Sequence, residues 1–161
     1  MTTRTYEYDD RPFDRAKALQ MSGLEFMAAL ANGDGPVPPI ASTMGFTVVE
    51  FEQGRAVFEG EPGRFVYNPI GSVHGGWYAT ILDSALGCAF HTSLPAGKIY
   101  TTVALNITYL RALTEQSGRV RCEGKVIHSG GSIATAEGRI VGKDGTLYAT
   151  GTTTCLVMTP R

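Results

Sequence analysis

The 161-residue sequence predicts an α+β fold in which an antiparallel sheet wraps around one long buried helix. Three observations predict it. Residues 77–90 carry apolar side chains on nearly every side, the pattern of a helix with no solvated face. Four strand-like runs follow with no helix between them, whereas a parallel sheet would need helical crossovers. Asp144-Gly145, between the last two runs, is a strong hairpin signal and makes their pairing antiparallel.

Phe13, Ala16, Leu19, Met27 and Leu30 fall on one helical stripe that stops at Asn32-Gly33, so an N-terminal helix is expected over residues 13–31. A Gly- and Pro-rich linker, Gly33 to Pro39, separates it from a core expected over residues 43–157, and the helix reads as a lid or flank to a single domain. Met44 to Phe51 and Arg55 to Gly60 alternate as two strands joined at Gln53-Gly54. Pro62 to Val73 is a loop, and His74-Gly75-Gly76 opens the long helix. Beyond Leu94-Pro95 and Gly97, strands are expected over Ile99 to Leu110, Gly118 to His128, Ser132 to Gly142 and Thr146 to Val157. The second of these alternates cleanly: Val120, Cys122, Gly124 and Val126 share one face, and Arg119, Arg121, Glu123 and Lys125 the other.

Composition narrows the function. Lys and Arg number 14 against 15 Asp and Glu, without the basic excess that nucleic-acid binding draws on, so no nucleic-acid partner is expected. The cysteines Cys88, Cys122 and Cys155 are widely spaced in apolar stretches and read as buried thiols in a reducing compartment. His74, His91 and His128 are too far apart to form a metal motif, and no metal is expected. The polar Met1–Pro12 segment lacks the apolar core of a signal peptide, and the longest apolar helix falls short of the ~20 residues that span a bilayer. The expected location is therefore the cytoplasm, with no membrane partner. No Gly-x-Gly-x-x-Gly or phosphate-loop pattern opens a helix.

Asp83 stands out as a carboxylate in the middle of the apolar helix, where an ionised group loses hydration unless it is paired or hydrogen-bonded. It is either a structural carboxylate bonded to a nearby hydroxyl, such as Thr80 or a strand threonine, or a catalytic one. Gly75 and Gly76 at the helix start offer backbone N–H groups that no helical carbonyl accepts, at the positive end of the helix dipole. Without side chains there, a substrate carbonyl can come close, as acyl transfer requires; the bland reading is a tight turn or close packing. At ~1.5 Å per residue, the eight residues from Gly75 to Asp83 span about 12 Å, too far for one carbonyl to touch both. If both serve one reaction, Gly75 of one subunit must meet Asp83 of another across a two-fold axis.

The stretch Asn68-Pro-Ile-Gly71-Ser-Val-His74-Gly75-Gly76, then Asp83, then Asn106-Ile-Thr-Tyr-Leu-Arg111 resembles the PaaI-like branch of the hotdog thioesterases over about Thr43 to Val157. The resemblance implies a hotdog fold and hydrolysis of an acyl-CoA thioester by a homodimer or homotetramer, with coenzyme A as part of the substrate and no separate cofactor. It implies that the Gly75 N–H polarises the thioester carbonyl, helped on the substrate side by Gly76, and that Asp83 acts as nucleophile or general base. Asn68 would orient water or hold the carbonyl. Aligned on Asn106, the family's water-positioning hydroxyl falls on Thr102, or on Thr101 if the register slips by one. His74 would cap the turn through Nδ1 or act as a base. Two departures stand out. His128-Ser129-Gly130-Gly131-Ser132 replaces a region where relatives carry a basic residue, which leaves Gly130 and Gly131 as an anion nest or a plain hairpin turn and Arg111 as the candidate contact to the CoA nucleotide. Ala112 stands where relatives often have proline. Trp77, Tyr78 and Phe65 are either acyl-pocket walls or core. Two other functions fit such a fold, an acyl-CoA sensor without turnover and an enoyl-thioester hydratase or dehydratase. Asp83 disfavours the first, and the His74-Gly-Gly spacing disfavours the second.

Overall fold

A computed structural model describes residues 1–160. Six strands form one antiparallel sheet in the order β1-β2-β4-β5-β6-β3: β1 Phe46–Glu52, β2 Arg55–Gly60, β3 Ile99–Tyr109, β4 Val120–Ser129, β5 Ile133–Gly142 and β6 Leu147–Met158. Helices α1 Arg15–Leu19, α2 Gly23–Ala31 and α3 Pro39–Met44 precede the sheet, and α4 Gly75–His91 packs on it. This is the α+β hotdog arrangement expected from the sequence. The turns at Gly54 (φ 77°) and Gly145 (φ 82°) adopt the left-handed backbone that glycine tolerates.

Three glycines on adjacent strands, Gly124, Gly138 and Gly151, lie in one row across the sheet beneath α4. A Cβ at Gly124 would come within 2.4 Å of the Ala85 carbonyl oxygen, and one at Gly151 would meet Leu82 at 3.3 Å. Their missing side chains let α4 lie close enough for Ile81, Leu82, Ala85 and Leu86 to be fully buried with Cys122, Ala136 and Ile140. At the helix start, the buried Trp77 indole donates to the Met44 carbonyl at 2.9 Å. Tyr78 Oη accepts from Leu113 N at 2.6 Å and donates to the Arg111 carbonyl at 3.1 Å. Both rings are core, not pocket walls, while Phe65 is exposed beneath the Arg4 guanidinium.

Three expectations are corrected. The N-terminal helix is broken in two at Gln20–Ser22, because Ser22 and Glu25 form a capping box that starts a new helix: Ser22 Oγ accepts from Glu25 N, and Glu25 accepts from Ser22 N at 2.8 Å. The linker is shorter than expected, since Pro39 begins α3 at a position that suits proline, and Gly45 (φ 74°) ends it, so β1 starts at Phe46 and not at Met44. Finally, α4 is not covered on every side. Gly76, Thr80, Asp83, Ser84 and His91 form a small and polar stripe at helical spacing in which no residue is fully buried. Gly87 continues the same row but is buried, because the Tyr100 hydroxyl sits where its side chain would be.

Candidate active site

Asp83 lies on this stripe and is exposed in the single chain, not buried as its apolar neighbours in sequence implied. The hydroxyls on either side of it are turned inward along the helix: Thr80 Oγ1 donates to the Gly76 carbonyl at 2.8 Å and Ser84 Oγ to the Thr80 carbonyl at 2.9 Å. The carboxylate's partner comes from β3. Thr102 Oγ1 donates to Asp83 Oδ1 at 3.0 Å, and among the described residues Oδ2 has no partner. Thr101, the other candidate, points to the opposite, exposed side of the strand.

A β-bulge makes this contact. Thr102 pairs with Cys155 and Ala104 with Thr154, which leaves Val103 as an extra residue that is 55% exposed. The bulge switches the inward face from even to odd positions, so Tyr100 and Thr102 before it and Leu105 and Ile107 after it all face α4.

At the start of α4, His74 is the N-cap, and its Nδ1 accepts from the Gly76 N–H at 2.8 Å. Of the two donors expected to be open, Gly76 is therefore occupied by the cap; among the described residues only the Gly75 N–H of this pair lacks an acceptor. Gly75 is also pinned by Tyr109, a residue the sequence reading did not single out. Tyr109 Oη donates to the Gly75 carbonyl at 3.2 Å and would lie 3.1 Å from a Cβ at position 75.

Asn68 organises the loop before the helix. Its Oδ1 accepts from Ile70 N at 3.1 Å and Ser72 N at 3.2 Å, and its Nδ2 donates to Ser72 Oγ at 3.1 Å. The loop is tied to the helix entry by His74 N, which donates to the Val66 carbonyl at 2.8 Å. Gly130 and Gly131 lie in the β4–β5 hairpin, where Gly130 N donates to the Ile133 carbonyl at 2.9 Å. Neither has a positive φ. The Arg111 guanidinium is exposed and has no hydrogen-bond partner among the described residues.

The cysteines are all free thiols. Burial pushes the Cys88 thiol up to about 12, with the nearby Asp83 charge adding to the effect, so it is a neutral wall residue and not a nucleophile. Among the described residues, no group of His, Cys, Asp and Glu is placed to hold a metal, and no helix is long and apolar enough to cross a membrane. A hollow of about 550 Å³ lies away from Asp83 on the outer face of the sheet, where Glu123, Glu137 and Arg139 project.

With this geometry in place, the family can be fixed. The sequence profile of the Thioesterase superfamily matches residues 70–149, about half of the chain and the part that carries Gly75, Asp83 and Thr102. The chain belongs to the hotdog-fold thioesterase superfamily. Among solved structures, this thioesterase-superfamily chain is similar to a phenylacetic acid degradation-related protein from Ralstonia eutropha JMP134, with 26% identity over 81% of this chain and 98% of that one and a TM-score of 0.74. It is also similar to a mutant of the phenylacetic acid degradation protein PaaI from Thermus thermophilus, with 27% identity over 74% and 98% and a TM-score of 0.67. Among curated proteins it is 28% identical to the 1,4-dihydroxy-2-naphthoyl-CoA hydrolase of Listeria monocytogenes serotype 1/2a (strain 10403S), over 63% of this chain and 80% of that protein. Membership places the chain with enzymes of acyl-thioester hydrolysis.

Proposed function

We propose that the chain hydrolyses an acyl-CoA thioester to the free acid and CoA, with each active site shared by two copies of the chain. The observation that carries this reading is the Asp83–Thr102 hydrogen bond on an uncovered stripe of α4, whose first N–H, at Gly75, is also unbonded. The two lie about 12 Å apart along one helix, so they serve one carbonyl only if a second copy brings its Gly75 to this Asp83. The edge strand β3 and the bare stripe of α4 are the surfaces such a copy would cover.

Thr102 has one proton and gives it to Asp83, so toward water both groups can only accept. A water between them donates one O–H to Asp83 Oδ2 and the other to Thr102 Oγ1, which leaves its lone pair aimed at the thioester carbonyl. As base, Asp83 takes the first of these protons while the oxygen adds to the carbonyl carbon; as nucleophile, its Oδ2 adds directly and water then cleaves the anhydride. In either course the partner's Gly75 N–H stabilises the developing oxyanion and the C–S bond breaks; the departing CoA thiolate takes the proton that Asp83 holds in the first course and a proton from water in the second. One Nδ2 proton of Asn68 is not used in its loop and is available to the carbonyl, while His74 holds the helix start rigid. Arg111 is the cation we assign to the CoA phosphates. A curated relative is named for hydrolysis of an aromatic acyl-CoA, which supports the reaction class.

The test is thiol release from aromatic and aliphatic acyl-CoA esters by the wild type and Asp83→Asn. A loss of about 10²–10⁴-fold in kcat, with fold and oligomeric size unchanged, is the expected result. Measurable binding without turnover by the wild type would favour a sensor instead.

A further inference from the structure

Two polar contacts fix the first turn of α4, and they come from different parts of the chain. His74 N donates to the Val66 carbonyl of the preceding loop at 2.8 Å, and the Trp77 indole donates to the Met44 carbonyl at the end of α3 at 2.9 Å. Gly75 lies between these two points in sequence, so the direction of its N–H depends on how the loop and α3 are held relative to each other. A donor for a developing oxyanion is effective only when it is held in place before the charge appears.

Arg4 bridges the loop and α3 from outside. Its guanidinium lies 3.8 Å from the centroid of the Phe65 ring, beside Val66 in the loop, and 4.6 Å from that of Tyr6. Nη1 donates to the Thr43 carbonyl at 2.8 Å and Nη2 to the Ser42 carbonyl at 3.2 Å, both in the last turn of α3, where carbonyls lack helical partners and a cation is favoured. A Cβ at Gly45, where α3 ends, would lie 3.6 Å from Phe65 Cζ and 3.8 Å from Arg4 Nη2, so cation, ring and helix end meet at one point. Arginine suits this place, because its planar fork serves two carbonyls while its face stacks on a ring. The rest of the N-terminal segment is held separately. Asp9 Oδ2 accepts from Arg11 Nη2 at 2.7 Å and from Val37 N at 3.1 Å, where Asp9, Asp10 and Arg11 wall a mostly apolar cavity with Phe26, His91 and Tyr100.

Resting on the hydrolase reading above, we propose that Arg4 is a positioning residue for the oxyanion donor: by clamping Phe65 to the end of α3 it keeps the Gly75 N–H aimed at the thioester carbonyl. Arg4 lies outside residues 70–149, which match the family profile, and acts only through the loop and α3. Because the Gly75 of one copy serves the Asp83 of the other, each Arg4 supports the site of its partner's carboxylate and not that of its own.

The experiment measures thiol release from aromatic and aliphatic acyl-CoA esters by the wild type, Arg4→Ala, Arg4→Lys and, as a control for loosening the segment elsewhere, Arg11→Ala. Arg4→Ala should lower kcat about tenfold, less than deleting the donor itself, with KM within about twofold of the wild type. Arg4→Lys keeps a charge over the ring but cannot fork to both carbonyls, so it should fall between, and Arg11→Ala should match the wild type. An Arg4→Ala kcat within about twofold of the wild type, or an equal loss in Arg11→Ala, overturns the proposal. Mixing Arg4→Ala with Asp83→Asn under subunit exchange then shows which site Arg4 supports. In each mixed dimer one site pairs the Asp83 of the Arg4→Ala chain with a Gly75 whose own Arg4 is intact, so activity should rise from about a twentieth to about a quarter of the wild-type value. A rate unchanged by mixing, while Gly75→Pro and Asp83→Asn still complement each other, overturns the proposal; if neither pair complements, the shared site fails and the proposal with it. If the wild type releases CoA from no ester, the hydrolase reading fails, and hydrogen exchange decides the clamp by itself. About tenfold faster exchange at the His74 and Gly76 amides in Arg4→Ala, with β4 and β5 unchanged, upholds it, and equal exchange ends it.

Discussion

The Asp83–Thr102 pair depends on one residue of strand register. Thr101 and Thr102 are chemically equivalent in the sequence, and only the second reaches α4. Removing its hydroxyl leaves the carboxylate free to rotate and takes one acceptor from the water. Hydrogen bonds to charged groups contribute about 1.5–3 kcal/mol, so Thr102→Val should lower kcat by roughly 10–100-fold, and Thr102→Ser should restore most of it. Steady-state kinetics on the two variants checks this. His91 supports a prediction on stability. Burial lowers its pKa below the ordinary 6.5, so the unfolded chain takes up the proton first as pH falls. The stabilisation from a neutral His91 is complete above about pH 6.5 and is lost below it, down to the lowered folded value. The groups around the imidazole are Phe26 and Tyr100, with Asp9, Asp10 and Arg11 on the same cavity wall. Urea midpoints of the wild type should fall between pH 7 and pH 5 by more than those of His91→Phe.

At the scale of elements, the glycine row sets how closely α4 sits on the sheet. An added methyl at Gly124 would overlap the backbone at Ala85, which no side-chain rotation relieves, and Gly124→Ala should destabilise the fold by about 1–3 kcal/mol in urea unfolding. The alternation of residues 119–126 placed Gly124 on the inner face, but its alignment with Gly138 and Gly151 was hidden, because β6 and β5 are ordered only once the register of both hairpins is known. The same limit hid the bulge at Val103, since an extra residue has no composition of its own and reads as an ordinary strand position. The break between α1 and α2 was legible: Ser22-x-x-Glu25 is a capping box written in the sequence, and the apolar stripe that bridged it obscured the signal. The open stripe of α4 was legible too, because Gly76, Thr80, Asp83, Ser84, Gly87 and His91 recur at helical spacing. The many apolar residues between them made the helix look covered on all sides.

At the scale of the whole molecule, the claim with the widest consequence is that one chain holds two halves of different sites. Gly75→Pro tests it. Position 75 is the first residue of α4, where proline is tolerated, and His74 already has the extended backbone (ψ 139°) that a following proline demands. The nearest atom to the added ring carbon, 3.1 Å away, is the hydroxyl at the far end of the Tyr109 side chain, which can give way. The Gly75 N–H that the substitution deletes is unbonded in the single chain, so its loss removes the oxyanion donor without breaking a helix bond. Gly75→Pro and Asp83→Asn should each be inactive alone. When the two are mixed and allowed to exchange subunits, half of the dimers become mixed, and each of these pairs a native Gly75 with a native Asp83 at one of its two sites. Activity should then return to roughly a quarter of the wild-type value. Chains that carried a complete site of their own would gain nothing from mixing, because every chain in the tube would still lack one half of the machinery. Thiol release followed over the time of subunit exchange therefore distinguishes a shared site from a self-contained one.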